Sequence, residues 1–113
     1  MTALSQRSCR DNSLKGTAIS PNEIARLKLD IPSWKNELHD GKEVLIKEFE
    51  FLEYQDAFIF VSEIVTLSET ENHHPKIIIE WGKVTVLWWS HNISGLHLND
   101  FIMAAKTDMI NKN

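Results

Sequence analysis

The chain has 113 residues, one cysteine and a formal net charge of −4, with no run of Lys or Arg, so direct contact with nucleic acid is not expected. A single domain of this length buries roughly two-thirds of the surface that its unfolded chain exposes, and its core needs neither a disulfide framework nor a structural metal. The single cysteine fits a reducing compartment, and no segment is long and apolar enough to cross a membrane or patterned as an export signal, so we expect a cytoplasmic location.

The first 19 residues are polar and show no period, which predicts a flexible N-terminal arm that carries an inert Cys9. The pattern changes at Ser20-Pro21-Asn22-Glu23, where Ser is a suitable N-cap, Pro suits the first helical position and Glu closes a capping box. A short first helix should follow and stop before Pro32. We therefore assign residues 1–19 to the arm and 20–113 to a single domain.

Two strand pairs and two further helices follow in order. Residues 34–38 and 44–51 flank an Asp-Gly pair, a strong hairpin signal, and residues 77–81 and 84–90 flank Gly82-Lys83. Between the hairpins, a helix of about four turns should begin at Tyr54 and end near Glu71 or Asn72, because apolar residues recur at spacings of three and four. Its core face is predicted to include Phe58, Val61 and Val65. A last helical pattern follows Gly95.

These elements predict an α+β fold of order αββαββα. Tight hairpins give a four-stranded antiparallel sheet, and three amphipathic helices must pack on one face of it. Residues 84–89 are apolar on both faces of their strand, whereas a half-buried sheet in a monomer would show one polar face. We therefore expect a homo-oligomer, with a second subunit on the other face.

The segment Glu69-Thr70-Glu71-Asn72-His73-His74-Pro75 stands where the long helix stops and a strand begins, and His91 follows eighteen residues after His73. Adjacent histidines in a loop are, by themselves, more often exposed or locally hydrogen-bonded than catalytic. Zinc binding is a further alternative, but two neighbouring residues rarely both reach one tetrahedral centre, and no cysteine stands near to complete it. We therefore predict no metal.

The spaced pattern as a whole resembles the pterin-4a-carbinolamine dehydratase family over about residues 20 to 110. The resemblance rests on residues 69–75, on Trp34 and the Phe49-x-Phe51 strand, on Trp81 and residues 83–86, and on His91, Gly95-Leu96 and Asp100. It implies the αββαββα fold, dimers formed by edge-to-edge joining of sheets, and often tetramers. The sequence departs from the family pattern at Asn72, where Asp is common. It departs again at Asn12, which stands where some family members have the second cysteine of a Cys-x-x-Cys pair in the arm.

The resemblance implies dehydration of 4a-hydroxytetrahydropterin to quinonoid dihydropterin and water, which recycles the pterin cofactor of aromatic amino-acid hydroxylases. That reaction delivers a proton to the C4a hydroxyl and removes one from N5, without a metal or another cofactor. Histidine titrates near neutral pH and can act in both directions. By this resemblance the catalytic residues are His73, His74 and His91, with His73 and His91 as the proton-transfer pair and His74 as a pterin-binding residue. The implied substrate-binding residues are Trp34, Glu69, Asn72, Pro75, Ser90 and Asp100.

Position along the chain adds two expectations for this segment. His73 would follow the C-terminus of a helix, where the negative end of the helix dipole favours a positive charge. Glu69 lies four residues before His73, so its carboxylate can reach the same face and either bind the ring nitrogens of the pterin or tune the imidazole. Two alternatives remain open: a non-catalytic dimerisation adaptor or transcriptional co-regulator of the same fold, and a related pterin activity in molybdenum-cofactor metabolism.

Overall fold

The structure is a computed structural model that describes residues 3–9, 19–93 and 95–111. After a short 3-10 helix at Leu4–Gln6, the elements follow the predicted order αββαββα. In chain order they are α1 (Pro21–Lys28), β1 (Lys35–His39), β2 (Lys42–Glu50), α2 (Tyr54–Glu71), β3 (Lys76–Glu80), β4 (Lys83–Trp88) and α3 (Leu98–Ile110). None of the helices in the described part of the chain has the length and apolar character needed to cross a membrane.

The four strands form one antiparallel sheet in the order β1-β2-β4-β3, which confirms the predicted fold class. Asp40 and Gly41 form the first two-residue turn, with φ of 53° and 78°. Positive φ at both positions suits the right-handed twist of a hairpin, and Asp-Gly adopts it readily. The second turn is Trp81-Gly82, one residue earlier than predicted, since Glu80 pairs with Lys83 and Gly82 has φ of 90°.

The hydrophobic core lies between one face of the sheet and the helices. The strands contribute Leu45, Phe49, Val84, Val86 and Trp88, and the helices contribute Leu27, Ala57, Phe60, Ile64 and Phe101 to Ala105. Thr85 and Leu87 point to the opposite face because side chains alternate along β4. Both are nevertheless buried within the single chain. A second subunit on this face stays a prediction.

Helix α2 presents a different face to the core from the one predicted. Ala57, Phe60, Ile64 and Ser68 are buried, whereas Phe58 is 58% exposed and Val65 is 50% exposed. The prediction of Phe58 and Val65 as core residues was therefore wrong. The cause is that α2 is apolar over an arc wider than the sheet can cover, so periodicity alone does not fix its rotation.

The start of α1 agrees with its sequence signal, because the Ser20 hydroxyl accepts a hydrogen bond from the Glu23 N–H at 3.2 Å. Residues 3–9 lie against α3, where the sequence predicts a flexible arm. Leu4 is only 4% exposed and joins the core. The remainder of the predicted arm, residues 10–18, lies outside the described residues.

Candidate functional site

A left-handed residue at the end of α2 sets the direction of the two adjacent histidines. Asn72 has φ of 53° and ψ of 44°, and the N–H groups of Asn72 and His73 both donate to the Ser68 carbonyl. Asn tolerates this conformation better than most residues and commonly ends helices in this way. The chain therefore leaves the helix abruptly, and the side chains of His73 and His74 take different environments.

His73 points into the protein and is held by a carboxylate. It is 4% exposed, and its Nε2 lies 2.7 Å from Oδ1 of Asp100, which is fully buried. Its ring stacks on Trp88 with centroids 5.8 Å apart and planes 11° from parallel. The hydrogen bond and the stacking together fix the orientation of this imidazole.

Asp100 is the third residue of α3 and connects three parts of the site. Besides His73, it accepts hydrogen bonds through Oδ2 from the Ser90 hydroxyl and from the His97 N–H, each at 2.9 Å. In turn, Nδ1 of His97 accepts from the Asn99 N–H at 3.1 Å, so His97 caps the helix. The capping of α3 and the orientation of His73 thus depend on the same carboxylate.

Glu69 contacts His74 and not His73. His74 is exposed, and its Nε2 lies 2.7 Å from Oε2 of Glu69. The Glu69 carboxylate thus contacts the second histidine and not the one four residues ahead, because Asn72 leaves the helical conformation before the histidines are reached. An exposed imidazole beside a carboxylate remains open to a substrate from solvent.

His91 approaches the same segment from the end of β4. Its Nε2 lies 3.3 Å from the His74 carbonyl, and because a carbonyl only accepts, Nε2 is the donor in this contact. The His91 ring packs on Trp89 with centroids 4.6 Å apart. An antiparallel bridge between Ser90 and Gly95 closes the loop that carries His91.

The structure thus forms two groups of contacts that adjoin along the chain at His73-His74 and at Ser90-His91. One group joins His73, Asp100 and Ser90, and the other joins Glu69, His74 and His91; these six residues are called the histidine cluster below. Asn72 and Pro75 flank its histidines along the chain, Asn72 exposed and Pro75 half-buried. Trp34 lies elsewhere: it is buried, packs edge-on against Phe49, and donates from Nε1 to Asp108 at 3.0 Å.

Two tryptophans pack against histidine rings of the cluster, and this aromatic support was not predicted from the sequence. Trp88 and Trp89 point to opposite faces of the sheet. The Trp88 ring stacks on His73, and the Trp89 ring packs against His91. The signal was the adjacency of the two tryptophans on a strand that leads directly to His91. Lys42 also lies 5.8 Å from the Trp89 ring centroid, which adds a cation to the exposed side of this stack.

Chemically, the cluster combines a buried, oriented imidazole with two exposed ones. The described residues contain no group of three or more His, Cys, Asp or Glu side chains arranged to hold a metal ion. Imidazoles exchange protons near neutral pH, and two of these rings have carboxylate partners. The arrangement therefore suits proton transfer to and from a small molecule.

Comparison with known proteins agrees with this geometry. The family model described as pterin 4 alpha carbinolamine dehydratase matches residues 17–110. A transcriptional coactivator/pterin dehydratase from Brucella melitensis is similar in structure, with a TM-score of 0.74 and 24% identity, over 83% of this chain and 98% of that one. A pterin dehydratase-like RuBisCO assembly factor of the alpha-carboxysome matches with a TM-score of 0.59 and 23% identity, over 69% of this chain and 88% of that one. The family match extends over most of the sequence and includes every member of the histidine cluster, and on this basis the chain belongs to the pterin 4 alpha carbinolamine dehydratase family.

Proposed function

We propose that this protein dehydrates 4a-hydroxytetrahydropterin to quinonoid dihydropterin and water. The observation that carries the proposal is the histidine cluster, in which His91 donates to the backbone of His74 while His73 and His74 each contact a carboxylate. Family membership supports a pterin-related substrate. Imidazoles held by defined hydrogen-bond partners are suited to general acid–base catalysis.

The reaction needs two proton transfers and no redox step. One side chain gives a proton to the hydroxyl on C4a, which leaves as water when the C4a–O bond breaks. Another accepts the N5 proton, and the N5–H electron pair forms the C4a–N5 double bond. Acid and base return to their starting states once the two residues exchange protons with water, and a positioned acid or base typically contributes ~10²- to 10⁴-fold.

Burial suggests a different division of roles from the one the sequence predicts. His73 was expected to be the acid and His74 the binding residue, yet His73 is almost fully buried and bound through Nε2, whereas His74 and His91 are exposed. In our proposal His74, paired with Glu69, and His91 exchange protons with the substrate. His73, held by Asp100, forms the inner wall that orients the pterin.

The test is a stopped-flow assay of the carbinolamine, generated in place by an aromatic amino-acid hydroxylase, with and without the protein. We expect acceleration over the spontaneous reaction, and a loss of roughly 10²-fold or more in His74→Gln and in His91→Gln. His39→Gln is the matched control, since His39 also pairs with a glutamate, at 3.0 Å from Glu37, but lies outside the cluster. A folded wild-type protein that gives no acceleration would refute the proposal.

A second candidate function is a non-catalytic role in protein association. One observation favours it: Tyr54, Phe58 and Val65 form an exposed apolar stripe on α2. The two similar structures are those of a transcriptional coactivator/pterin dehydratase and of a pterin dehydratase-like RuBisCO assembly factor. Phe58→Glu tests whether this stripe mediates association separately from catalysis, because it should disrupt an oligomer in analytical ultracentrifugation without altering the turnover per folded chain.

The natural pterin and pathway are also part of the proposal. We place the reaction in the recycling of the hydroxylase cofactor in the cytoplasm, by a dimer or tetramer that needs no other cofactor. The alternative is a pterin of molybdenum-cofactor metabolism. Parallel assays with both pterin classes separate these substrates, since the preferred one should have the higher kcat/KM.

A further inference from the structure

The N-terminal segment 3–9 makes specific contacts with the two elements that flank the histidine cluster. The Cys9 N–H donates to Oε1 of Glu71 at 2.8 Å, and Nζ of Lys106 donates to the Ser5 carbonyl at 3.1 Å. Leu4 is buried in the core and anchors the near end of the segment. The segment therefore connects the last turn of α2 with the middle of α3.

Glu71 is the residue at which these contacts meet. It is the last residue of α2, its side chain is 13% exposed, and its Oε2 lies 4.0 Å from Nζ of Lys106. A carboxylate this deeply buried needs partners, and two of them come from the segment and from α3. Glu71 is also adjacent to Asn72, whose left-handed conformation directs His73 and His74.

The thiol of Cys9 lies beside the cluster as well. Its Sγ is 3.9 Å from the Asn99 carbonyl, one residue before Asp100. Burial, with the negative charges of Glu71 and Asp100, raises the pKa of Cys9 to about 12. The segment thus passes close to the carboxylate that orients His73.

We infer that segment 3–9 is part of the functional site, with Glu71 as a positioning residue that fixes the end of α2 and thereby the two adjacent histidines. The inference rests on the proposed dehydratase function only for its turnover readout. Without the Cys9 N–H and Lys106, the Glu71 carboxylate would turn to solvent, and the turn at Asn72 would gain freedom. Displacement of a catalytic group by about 1 Å can cost ~10²-fold in rate, so a small loosening here is measurable.

The experiment compares Glu71→Ala, Glu71→Gln and Glu63→Ala in the full chain. Glu71→Ala removes both contacts and should lower kcat by roughly 10-fold or more with a smaller change in KM. Glu71→Gln keeps an oxygen that can accept from the Cys9 N–H, and it should restore most of the turnover. Glu63 lies exposed on the same helix, so Glu63→Ala controls for the loss of one negative charge from α2.

A second readout does not depend on catalysis. The ring ¹H–¹⁵N signals of His73 should shift in Glu71→Ala while those of the distant His39 stay in place. If the wild type shows no turnover, the dehydratase proposal fails, and the His73 signals alone decide the role of the segment. Should Glu71→Ala not fold, Lys106→Met, which removes the contact to Ser5, should produce the same shifts to a smaller degree.

The inference is overturned if folded Glu71→Ala, or Lys106→Met in its place, leaves the His73 signals and kcat unchanged. It is equally overturned if Glu63→Ala lowers kcat as much as Glu71→Ala does. A fall in thermal stability of Glu71→Ala without any change in kcat or in the ring signals would show a purely structural contact and would also refute it.

Discussion

The carboxylate of Asp100 offers the sharpest test of how the site is held. Asp100→Asn keeps the shape of the side chain but replaces one of its oxygens by an NH₂ group. The Oδ2 side must still accept from Ser90 and from the His97 N–H, so the amide oxygen belongs there and the NH₂ group faces His73. Nε2 of His73 would then have to accept a hydrogen bond, which requires the other tautomer or a rotated ring.

The expected magnitude follows from these contacts. A hydrogen bond to a charged group contributes about 1.5–3 kcal/mol, and the bond between His73 and Asp100 is fully buried, so the free energy of unfolding should fall by about 2–3 kcal/mol. Turnover should fall by ~10²-fold or more, because an imidazole in the wrong tautomer loses its oriented contact with the substrate.

The assay is carbinolamine dehydration under single-turnover conditions, with urea unfolding measured on the same samples. Asp108→Asn is the matched control, because Asp108 lies two turns along the same helix and binds Lys47 at 2.7 Å and Trp34 at 3.0 Å. It should lose stability but keep its turnover. Turnover of Asp100→Asn within about threefold of the wild type, or an equal loss in Asp108→Asn, would refute the reasoning, since misplacement of an orienting group should cost ~10²-fold.

Three further outcomes are expected. Asn72→Gly should fold normally and keep the free energy of unfolding within a few tenths of a kcal/mol, whereas Asn72→Ala should lose about 1 kcal/mol, because the residue at this position must adopt the left-handed conformation. A loss of turnover in Asn72→Gly would instead assign the Asn72 amide to substrate binding. Trp34→Phe should lower the free energy of unfolding by about 1–2 kcal/mol through the lost bond to Asp108 and leave kcat unchanged; a raised KM would place Trp34 in the pocket. The Cys9 thiol should resist a disulfide reagent at pH 8 until denaturant is added. The pKa of Cys9 is raised from 9.0 to about 12 in the folded chain, so between these values the native state keeps a proton that the unfolded chain loses. The contribution of Cys9 to the free energy of unfolding should therefore decline between pH 9 and pH 12. If Cys9→Ser showed the same pH dependence of stability as the wild type, this expectation would be contradicted.

Most of the fold could be predicted because its signals are local. Asp40-Gly41 specifies a two-residue hairpin, and Ser20 with Glu23 specifies a helix start. The strand order β1-β2-β4-β3 depends on contacts between residues far apart in the chain, and it was not predicted from the sequence. The buried face of α2 was predicted incorrectly because Phe58 and Phe60 are equally apolar, and only the width of the sheet decides which of them is buried.

The membership of the site was easier to predict than its connections. The histidines and carboxylates were visible as a spaced pattern, but their pairing depends on single backbone torsions. One left-handed residue, Asn72, transfers the contact of Glu69 from His73 to His74. The N-cap of α3 was also not predicted, because His97 is not among the residues that usually cap helices. His97 caps α3 here, and the Asp100 carboxylate accepts a hydrogen bond from its N–H.

The position of the cluster between two helix ends gives its central pair a physical rationale. His73 follows the C-terminus of α2, where the negative end of the helix dipole stabilises a positive charge, and Asp100 lies in the first turn of α3, where the positive end stabilises a negative one. A buried pair usually costs free energy because both groups lose water, and this cost is met only with good geometry and further hydrogen bonds. Here Ser90 and the His97 N–H supply those bonds to the carboxylate, and Trp88 covers the imidazole. These contacts and the two helix ends thus hold His73 and Asp100 in a fixed arrangement in the interior of the cluster, and under the proposed function the exposed His74 and His91 would exchange protons with the substrate.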